Sequence, residues 1–431
     1  MVHSLKYGSV WKRSDCKSLT LKLSFPGFMQ NKLKIISDPV HGFIKIPYEL
    51  LFDIIEHPYL QRLRRISQTG LLNLIFPGAT HTRFHHAIGA MHLMFTALET
   101  LKLKGVQISK EEEQSAMAAI LMHDIGHGPF SHALESMLMD NWHHEKLSLL
   151  LMEKLNSELG GQLDTAIEMF KGNYHRRFFN QLISSQLDVD RLDYLKRDSF
   201  YTGVSEGNVN TQRIISMMNV ADDELVIDDK GIYSIENYLT ARMFMYWQVY
   251  YHKTAALAEF LLVKIMQRAK QLVLEGVKLP ASANLAYFLY KNEFESATEE
   301  DIARFTELDD TDLIAAMKLW QDADDYVLSY YCTALMKRKF PKTIISSTPF
   351  SQDFIDEKVK AANSSLGIDC GDKLVHQISR SLLPYNPVKQ PIYLLGKSGG
   401  KVLLNEFEGQ ILSSFIVEPS TRYILSFPRG L

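Results

Sequence analysis

The chain has 431 residues, of which 46% are hydrophobic and 23% charged, a balance typical of globular proteins rather than disordered or fibrous ones. This length suits two or three domains, or one large helical domain with an appendix. No apolar run approaches the roughly 20 residues of a membrane span, and no secretory signal is visible. The three cysteines, far apart in sequence, argue against disulfides or a cysteine zinc site and predict a cytoplasmic protein.

The formal net charge is −3, and it is distributed unevenly along the chain. Residues 1–30 contain five basic residues and one acidic residue, so they carry +4 and the remainder carries −7. That balance does not favour a nucleic-acid-binding surface. We predict that residues 1–30 form a basic arm, either flexible or the product of a start assigned upstream of a true initiator at Met29.

The secondary-structure signals predict a mainly α fold. Residues 33–46 read as extended, and residues 75–83 as a loop. Helices are predicted over 47–56, from 58, 84–103, 109–124, from 129, 144–158, 178–198, 210–219, 234–275 and most of 283–340. A small hairpin is predicted from 224–228 and 231–234.

After residue 340 the pattern changes to short β-rich runs at 343–346, 392–395, 402–404 and 423–427, with one helix at 352–363. We therefore expect a helical body over residues 31–340 and a small α+β region over residues 341–431.

Histidines are concentrated in one part of the chain. Nine of the 15 lie between His81 and His144, where even spacing would place about two. Neutral imidazole is the commonest metal ligand in proteins and an acid–base group near pH 7. The cluster comprises His81, His85, His86, His92, His123, His127, His132, His143 and His144.

The central motif of this cluster is the His123-Asp124 doublet, followed by a turn with two glycines. A ring nitrogen beside a carboxylate oxygen makes a mixed site that suits Mn, Fe, Zn, Ni or Mg. A third ligand is expected from His85 or His86, and a fourth from the segment 188–194. In that segment the carboxylates at 190 and 193 share a helical face. Spacing does not choose between His85 and His86.

Spacing likewise leaves open whether His143 or His144 takes part in the site. Isolated histidines elsewhere in the chain, such as His41, are interpreted as surface or packing residues.

The segment 396–398 resembles the end of a phosphate-binding loop. Because Pro391 stands where that loop requires glycine, a hairpin turn is the better interpretation.

These motifs together resemble the HD-domain phosphohydrolases, specifically the deoxynucleoside triphosphate (dNTP) triphosphohydrolases. The similarity is closest to the type represented by the human SAM-and-HD-domain dNTPase and its bacterial tetrameric relatives. Matching stretches run in order over about residues 34–253, whereas the region past 340 matches loosely and no SAM domain precedes the HD region. They are DPVHGFI, QRLRRISQTG, FPGATHTRFHHAIG, HDIGHGPFSHALE, DVDRLDYLKRDSFYTG and the segment holding Arg242, Tyr250, His252 and Lys253.

The resemblance implies one divalent metal per active site and a set of acid–base groups around it. His144 would act near the leaving 5′-oxygen, His132 with Glu135 would form a His–carboxylate dyad, and His127 would line the metal pocket. The implied metal ligands are His86, His123, Asp124 and Asp190.

The resemblance also implies contacts to a nucleotide. Arg83, Arg191 and Arg242 would grip the triphosphate; Tyr194 would lie under the sugar; Gln68 and Asp198 would hold its 3′-hydroxyl, and Tyr250 would sit near the base. An effector nucleotide between subunits would contact a second set, in which Glu56 replaces the family's Asp. That set is Lys34, Ile35, Glu56, Arg64 and Arg213.

The implied activity is hydrolysis of dNTPs, dGTP among them, to deoxynucleoside and inorganic triphosphate by a homo-oligomer, either a tetramer or a dimer. Membrane and nucleic-acid partners are not expected. Two alternatives remain open. One is another nucleotide phosphatase using the same site, and the other is a nucleotide-sensing or nucleic-acid-binding protein.

Overall fold

A computed structural model describes residues 34–130, 133–140, 142–291, 294, 296–397, 399–408 and 418–431. Of the described residues, 56% are helical, and the predicted mainly α fold is confirmed. The predicted arm, residues 1–30, lies outside the described residues, as do His132 and Ser398. Within the described residues, no helix is both long and apolar enough to cross a membrane.

Helices account for most of the described chain. Those before residue 210 are α1 Glu49–Glu56, α2 Pro58–Gln61, α3 Arg83–Leu103, α4 Lys110–Met122, α5 Glu135–Leu138, α6 His144–Glu158, α7 Asp164–Lys171, α8 Arg177–Ile183 and α9 Val189–Thr202. The later ones are α10 Thr211–Met217, α11 Ile232–Met245, α12 Lys253–Leu274, α13 Ala283–Tyr290, α14 Glu299–Thr306, α15 Asp310–Trp320, α16 Tyr326–Met336, α17 Gln352–Leu366 and α18 Gly371–Leu374.

The strands form three small sheets. They are β1 Lys34–Asp38, β2 Gly42–Ile46, β3 Met218–Ala221, β4 Glu224–Asp228, β5 Lys342–Ser346, β6 His376–Leu382, β7 Tyr393–Leu395, β8 Lys401–Leu403 and β9 Ser420–Phe427. Strands β1 and β2 pair as a hairpin, and β5, β9 and β6 form an antiparallel sheet in that order. The third sheet has the order β3-β4-β7-β8.

Three helices meet at the centre of the body. Helix α3 packs against both α4 and α9. Ser109 and Glu112 form a capping box at the N-terminus of α4, three residues apart as such a box requires. Helix α4 is buried along most of its length because its apolar residues point in all directions. The N-termini of α3 and α9 and the C-terminus of α4 therefore lie close together inside the protein.

Several predicted boundaries were wrong. No helix starts at Pro129, and the next helix among the described residues is α5. The helix predicted over 178–198 is interrupted at 184–188, where the Asp188 side chain accepts a hydrogen bond from the Arg191 backbone and caps α9. The long helix predicted over 234–275 is likewise interrupted by a π turn at Tyr246–Tyr250 and by His252, which caps α12.

The predicted hairpin has a different partner strand. Strand β4 pairs with β3 through a turn at Asp222 and Asp223, both with positive φ, whereas residues 232–234 begin α11. Strand β4 also pairs in parallel with β7, which belongs to the predicted C-terminal region. The turn between β7 and β8 is closed by Gly396 donating to the Gly400 carbonyl at 2.9 Å, as expected for a hairpin.

The region after residue 340 contributes to the same core as the helices. Its residues Tyr385, Leu394 and Leu404 are fully buried in the cluster that also contains the apolar faces of α3 and α4. The domain boundary at residue 340 stays a prediction.

Candidate metal centre and active site

The three central helices present four candidate ligands to one point. His86 lies in the first turn of α3, His123 and Asp124 follow α4, and Asp190 lies in the first turn of α9. His86 Nε2 is 3.0 Å and His123 Nε2 is 3.5 Å from Asp190 Oδ1, while His123 Nε2 is 3.3 Å from Asp124 Oδ1. Asp124 Oδ2 is 3.9 Å from His86 Nε2.

The donor atoms fit a divalent cation. The ligand atoms of His86, His123 and Asp190 all lie within 4.8 Å of one another. The Nε2 atoms of both histidines are buried and have no hydrogen-bond partner among the described residues. Because a buried polar atom without a partner is costly, two such nitrogens facing two carboxylates are typical of a site completed by a metal.

The structure selects one member of each adjacent histidine pair. His85 turns away from the cluster, and its Nδ1 lies 3.2 Å from the Thr82 backbone nitrogen at the start of α3. His144 lines the cavity described below, whereas the side chain of His143 is 80% exposed.

A buried charge network holds His86 from behind. Its Nδ1 lies 2.8 Å from Asp193 Oδ2, and the other oxygen of Asp193 lies 2.6 Å from His41 Nε2. Arg197 donates to Asp193 at 2.9 Å and to Asp38 at 2.7 Å. A carboxylate on the second ring nitrogen fixes the orientation of a ligating histidine. The side chain of His41, interpreted from the sequence as a surface or packing residue, is buried and contacts this carboxylate.

The ionised carboxylates around the four candidate ligands favour a cation at the centre. Burial acts to lower the pKa of His86, but the neighbouring carboxylates of Asp190 and Asp193 outweigh burial and raise it to about 10. Burial opposes ionisation of Asp124 and Asp190, yet the neighbouring histidines hold both pKa values well below their usual range. Burial and nearby Arg83 lower the pKa of His127, which is a neutral ring here.

A cavity of about 950 Å³ opens onto the metal centre. The rings of His127 and His144 stack in it, with centroids 4.0 Å apart. Glu135 Oε1 lies 2.7 Å from His144 Nδ1 and also accepts a hydrogen bond from the His144 backbone nitrogen. The predicted partner of Glu135, His132, is outside the described residues, so the carboxylate is seen here with His144 instead.

The three predicted phosphate-binding arginines differ in their surroundings. Arg83 lines the cavity and donates to Asp124 at 2.5 Å. Arg191 also lines the cavity and pairs with Asp188. Arg242 is not among the lining residues. It is buried and donates to Gln186 at 2.8 Å.

The other predicted substrate residues line the same cavity. Tyr250 donates to Asp198 Oδ2 at 2.6 Å, and the second oxygen of Asp198 lies 2.7 Å from His81 Nε2. The Tyr194 and Tyr250 rings meet edge to face, with centroids 6.4 Å apart. The Gln68 side-chain oxygen is buried and has no partner among the described residues.

The predicted effector residues lie away from this cavity. Ile35, Glu56, Arg64 and Arg213 are exposed on the surface of the single chain, and Lys34 Nζ lies over the ring of Phe52. None of the five lines the described cavity.

Comparisons with known proteins agree with this geometry. The HD domain family matches residues 83–198, and the HD-associated region matches residues 209–282. The uncharacterised protein YwfO of Bacillus subtilis is 32% identical over 422 residues, covering 95% of both chains. The crystal structure of a phosphohydrolase from Bacteroides thetaiotaomicron has a TM-score of 0.88 and 45% identity, covering 92% of this chain and all of that one.

A further relative carries a specific activity in its name. The deoxynucleoside triphosphate triphosphohydrolase SAMHD1 homolog of Dictyostelium discoideum is 31% identical over 257 residues. That match covers 55% of this chain and 50% of the relative, so the chain spans about half the length of this larger protein.

Proposed function

The chain belongs to the HD-domain phosphohydrolase family, and from that premise we propose that it is a metal-dependent dNTP triphosphohydrolase. It would cleave dNTPs, dGTP among them, into deoxynucleoside and inorganic triphosphate. The observation that carries the proposal is the pair of buried Nε2 atoms of His86 and His123. They make no hydrogen bond among the described residues and face two carboxylates at the wall of a cavity lined by arginines and tyrosines.

His86, His123, Asp124 and Asp190 would hold the divalent metal. When bound, such an ion polarises a phosphoryl oxygen and lowers the pKa of a coordinated water. The protein supplies two neutral imidazoles and two carboxylates, so one divalent charge is balanced at the ligand shell. Asp193 behind His86 keeps the Nε2 atom of that ring directed at the metal position.

His144 would transfer a proton. With Nδ1 bound to Glu135, the Nε2 atom of a protonated ring is the one that can donate a proton to a leaving oxygen in the cavity. The adjacent carboxylate fixes the orientation of the ring. The stacked neutral ring of His127 supports His144 without competing for the proton.

Arg83 and Arg191 would bind the phosphate chain because a guanidinium offers paired donors to phosphate oxygens. Each is paired with a carboxylate, so binding a triphosphate would exchange one anionic partner for another. Tyr194 would pack on the sugar and leave little room for a 2′-hydroxyl, which would favour deoxyribose. Tyr250 and Asp198 are joined at 2.6 Å and would meet the sugar and base.

Product analysis tests the proposal directly. Purified protein with Mn²⁺ or Mg²⁺ is incubated with each dNTP, singly and as a mixture of four, and the products are separated by chromatography. Deoxynucleoside with inorganic triphosphate supports the proposal, and turnover only in mixtures indicates an activating nucleotide. Release of monophosphate or free phosphate instead assigns the site to another nucleotide phosphatase.

The matched variant is Asp124→Asn, which keeps the shape of the side chain and removes its charge. We expect activity to fall by at least about 100-fold. Mutating a residue that only hydrogen-bonds to a metal ligand already lowers metal affinity or activity by about 10- to 100-fold, and Asp124 is proposed to be a ligand itself. Asp353→Asn, the same substitution at an exposed position of α17 that does not line the cavity, serves as a control for expression and folding. Full activity of a metal-depleted Asp124→Asn sample would refute the metal mechanism.

A further inference from the structure

The turn between α14 and α15 contacts the active-site loop from outside the cavity. Residues 307–309 connect these helices, and they lie beyond both segments matched by the family comparisons. The Asp310 carboxylate accepts a hydrogen bond from Phe130 in the loop 125–130, which follows the His123-Asp124 doublet. The Leu308 carbonyl accepts one from Arg62, a residue that also binds this loop. This contact joins residues about 180 positions apart in the sequence.

Asp310 bridges two backbone segments that line the cavity. Its Oδ1 accepts a hydrogen bond from the Phe130 backbone nitrogen at 2.9 Å, and its Oδ2 accepts one from the Ser67 backbone nitrogen at 2.8 Å. The residue is only 6% exposed. One buried carboxylate therefore fixes the distance between the end of loop 125–130 and the segment that carries Gln68.

The Phe130 bond holds a strained backbone. Phe130 has a φ of 48°, in the left-handed region that residues with a bulky side chain rarely adopt. Such a conformation persists only where the surroundings determine it, and a hydrogen bond from Phe130 to a buried carboxylate is the kind of contact that does so.

Arg62 holds the same loop at its other end. This arginine is 1% exposed, and its Nη2 donates to the carbonyls of Ile125 at 2.9 Å and His127 at 2.8 Å. Its Nη1 donates to Leu308 at 3.2 Å. The planar fork of a guanidinium can satisfy three fixed carbonyls, which a lysine ammonium on a flexible stem cannot do in the same geometry.

The opposite face of the loop offers no room for displacement. A Cβ on Gly126 would lie 2.3 Å from the His144 carbonyl and 2.2 Å from the Ser148 nitrogen, so the loop backbone packs directly on α6. Movement away from α6 is resisted by Arg62 and Asp310. The loop is therefore fixed between α6 on one side and these two charged residues on the other.

A simple helix-capping role does not explain Asp310. The N-cap of α15 is Asp309, whose side chain accepts from the Thr311 nitrogen at 2.8 Å, and Asp312 completes the capping box by accepting from the Asp309 nitrogen at 3.0 Å. Both oxygens of Asp310 are used outside its own helix.

We propose that Asp310 and Arg62 are positioning residues that set the geometry of loop 125–130, and through it the metal ligands His123 and Asp124 and the Gln68 segment. The inference deepens the proposed function and rests on it for the identity of the substrate, but not for the metal site.

The test compares Asp310→Asn with Asp312→Asn in the full chain. Asparagine keeps the shape of Asp310 but leaves only one oxygen to serve two backbone donors, and its amide nitrogen faces one of them. Asp312→Asn alters the cap of the same helix without changing either oxygen of Asp310. The Mn²⁺ dissociation constant is measured by titration calorimetry on metal-free protein, alongside thermal unfolding and steady-state kinetics.

We expect Asp310→Asn to weaken Mn²⁺ binding and lower kcat by about 10-fold each, as for other residues that support metal ligands. Asp312→Asn should match the wild type in both. Arg62→Lys, which keeps the charge but not the fork, provides a second variant if Asp310→Asn does not fold, and should weaken Mn²⁺ binding similarly.

A purely structural role predicts a different result. Folded Asp310→Asn or Arg62→Lys protein with a lower unfolding temperature but wild-type Mn²⁺ affinity and kcat would overturn the inference. If the wild type binds Mn²⁺ but hydrolyses no dNTP, the proposed function fails, while the Mn²⁺ comparison still decides this inference.

Discussion

At the residue scale, the metal centre is governed by a histidine held between two carboxylates. Asp190 and Asp193 flank His86 and raise its pKa to about 10, against about 6.5 for an unperturbed histidine. In the metal-free protein His86 therefore carries a proton at neutral pH. That proton occupies the position that a metal would take, so metal and proton compete for one nitrogen.

This competition predicts a pH dependence. Protonation of His86 stabilises the metal-free fold fully below about pH 6.5, and that stabilisation is lost as pH rises towards about 10. Mn²⁺ binding should tighten over the same interval, with about one proton or more released per ion near pH 7.5. Calorimetry in two buffers of different ionisation enthalpy measures the release. Binding without proton release would contradict the expectation, and Asp193→Asn should reduce the release.

Sequence reasoning identified the types of residue that could ligate a metal, but not the residues that hydrogen-bond to the candidate site residues. The His123-Asp124 doublet was singled out because metal chemistry restricts ligands to a few residue types, whereas the choice of Asp190 within the segment 188–194 came from the family resemblance. The contact of His41 with Asp193 joins residues 152 positions apart, and no local pattern marks it. The same holds for the pairing of Glu135 with His144, which depends on how the chain folds back from α5 to α6.

At the element scale, a glycine inside α3 allows two helices to approach closely. Glycine is unfavourable in a helix interior, yet Gly89 lies within the first two turns of α3. A Cβ there would lie 2.2 Å from both Arg197 Nη2 and Asp193 Oδ1. The buried ion pair of α9 therefore rests directly on the backbone of α3.

Gly89→Ala should accordingly destabilise the protein although alanine is the better helix former. We expect a loss of about 1–3 kcal/mol in the free energy of unfolding, as for overpacking in a core, together with weaker Mn²⁺ binding. Gly396→Ala is the control, because the nearest atom to its Cβ would be 3.5 Å away. Urea unfolding measures the free energy of unfolding of the two variants. Equal stability of the two variants would show that α3 and α9 can separate without cost.

Element boundaries were predictable where a local signal exists and wrong where the break depends on a side chain. The capping box before α4 is visible in sequence because its residues are three apart. The breaks before α9 and α12 are made by Asp188 and His252, whose side chains cap the following helix. Apolar periodicity continues across both breaks, so it predicts one helix where there are two.

At the scale of the whole molecule, the region after residue 340 is tied to the helical body by backbone pairing and by burial. Parallel pairing of Ile227 with Leu394 and of Asp228 with Leu395 joins β4 to β7. Arg380 of β6 contacts Glu259 of α12 at 3.2 Å, and Gln390 lines the active-site cavity. The sequence predicted β-rich runs here, but strand pairing over this distance leaves no local signature.

We therefore expect one cooperative unfolding transition for the described chain. Leu394→Ala, at a fully buried position in the core shared with α3 and α4, should reduce the free energy of unfolding by about 2–5 kcal/mol. Val388→Ala, at a position 90% exposed, should change it by less than about 0.5 kcal/mol.

Urea unfolding is followed by circular dichroism and by loss of Mn²⁺ binding. For Leu394→Ala both signals should shift together. Separate transitions, with Mn²⁺ binding retained after the first, would instead support an independent region after residue 340.

Under the proposed function, the pairing of Arg83 with Asp124 would make the binding of metal and of nucleotide interdependent. While the guanidinium neutralises Asp124 at 2.5 Å, that carboxylate offers less charge to a cation. A triphosphate that draws Arg83 towards itself returns the charge to Asp124, so each ligand raises the affinity for the other by the same factor. The site would then show positive heterotropic cooperativity within a single subunit, and metal affinity measured without nucleotide would be lower than the affinity during turnover.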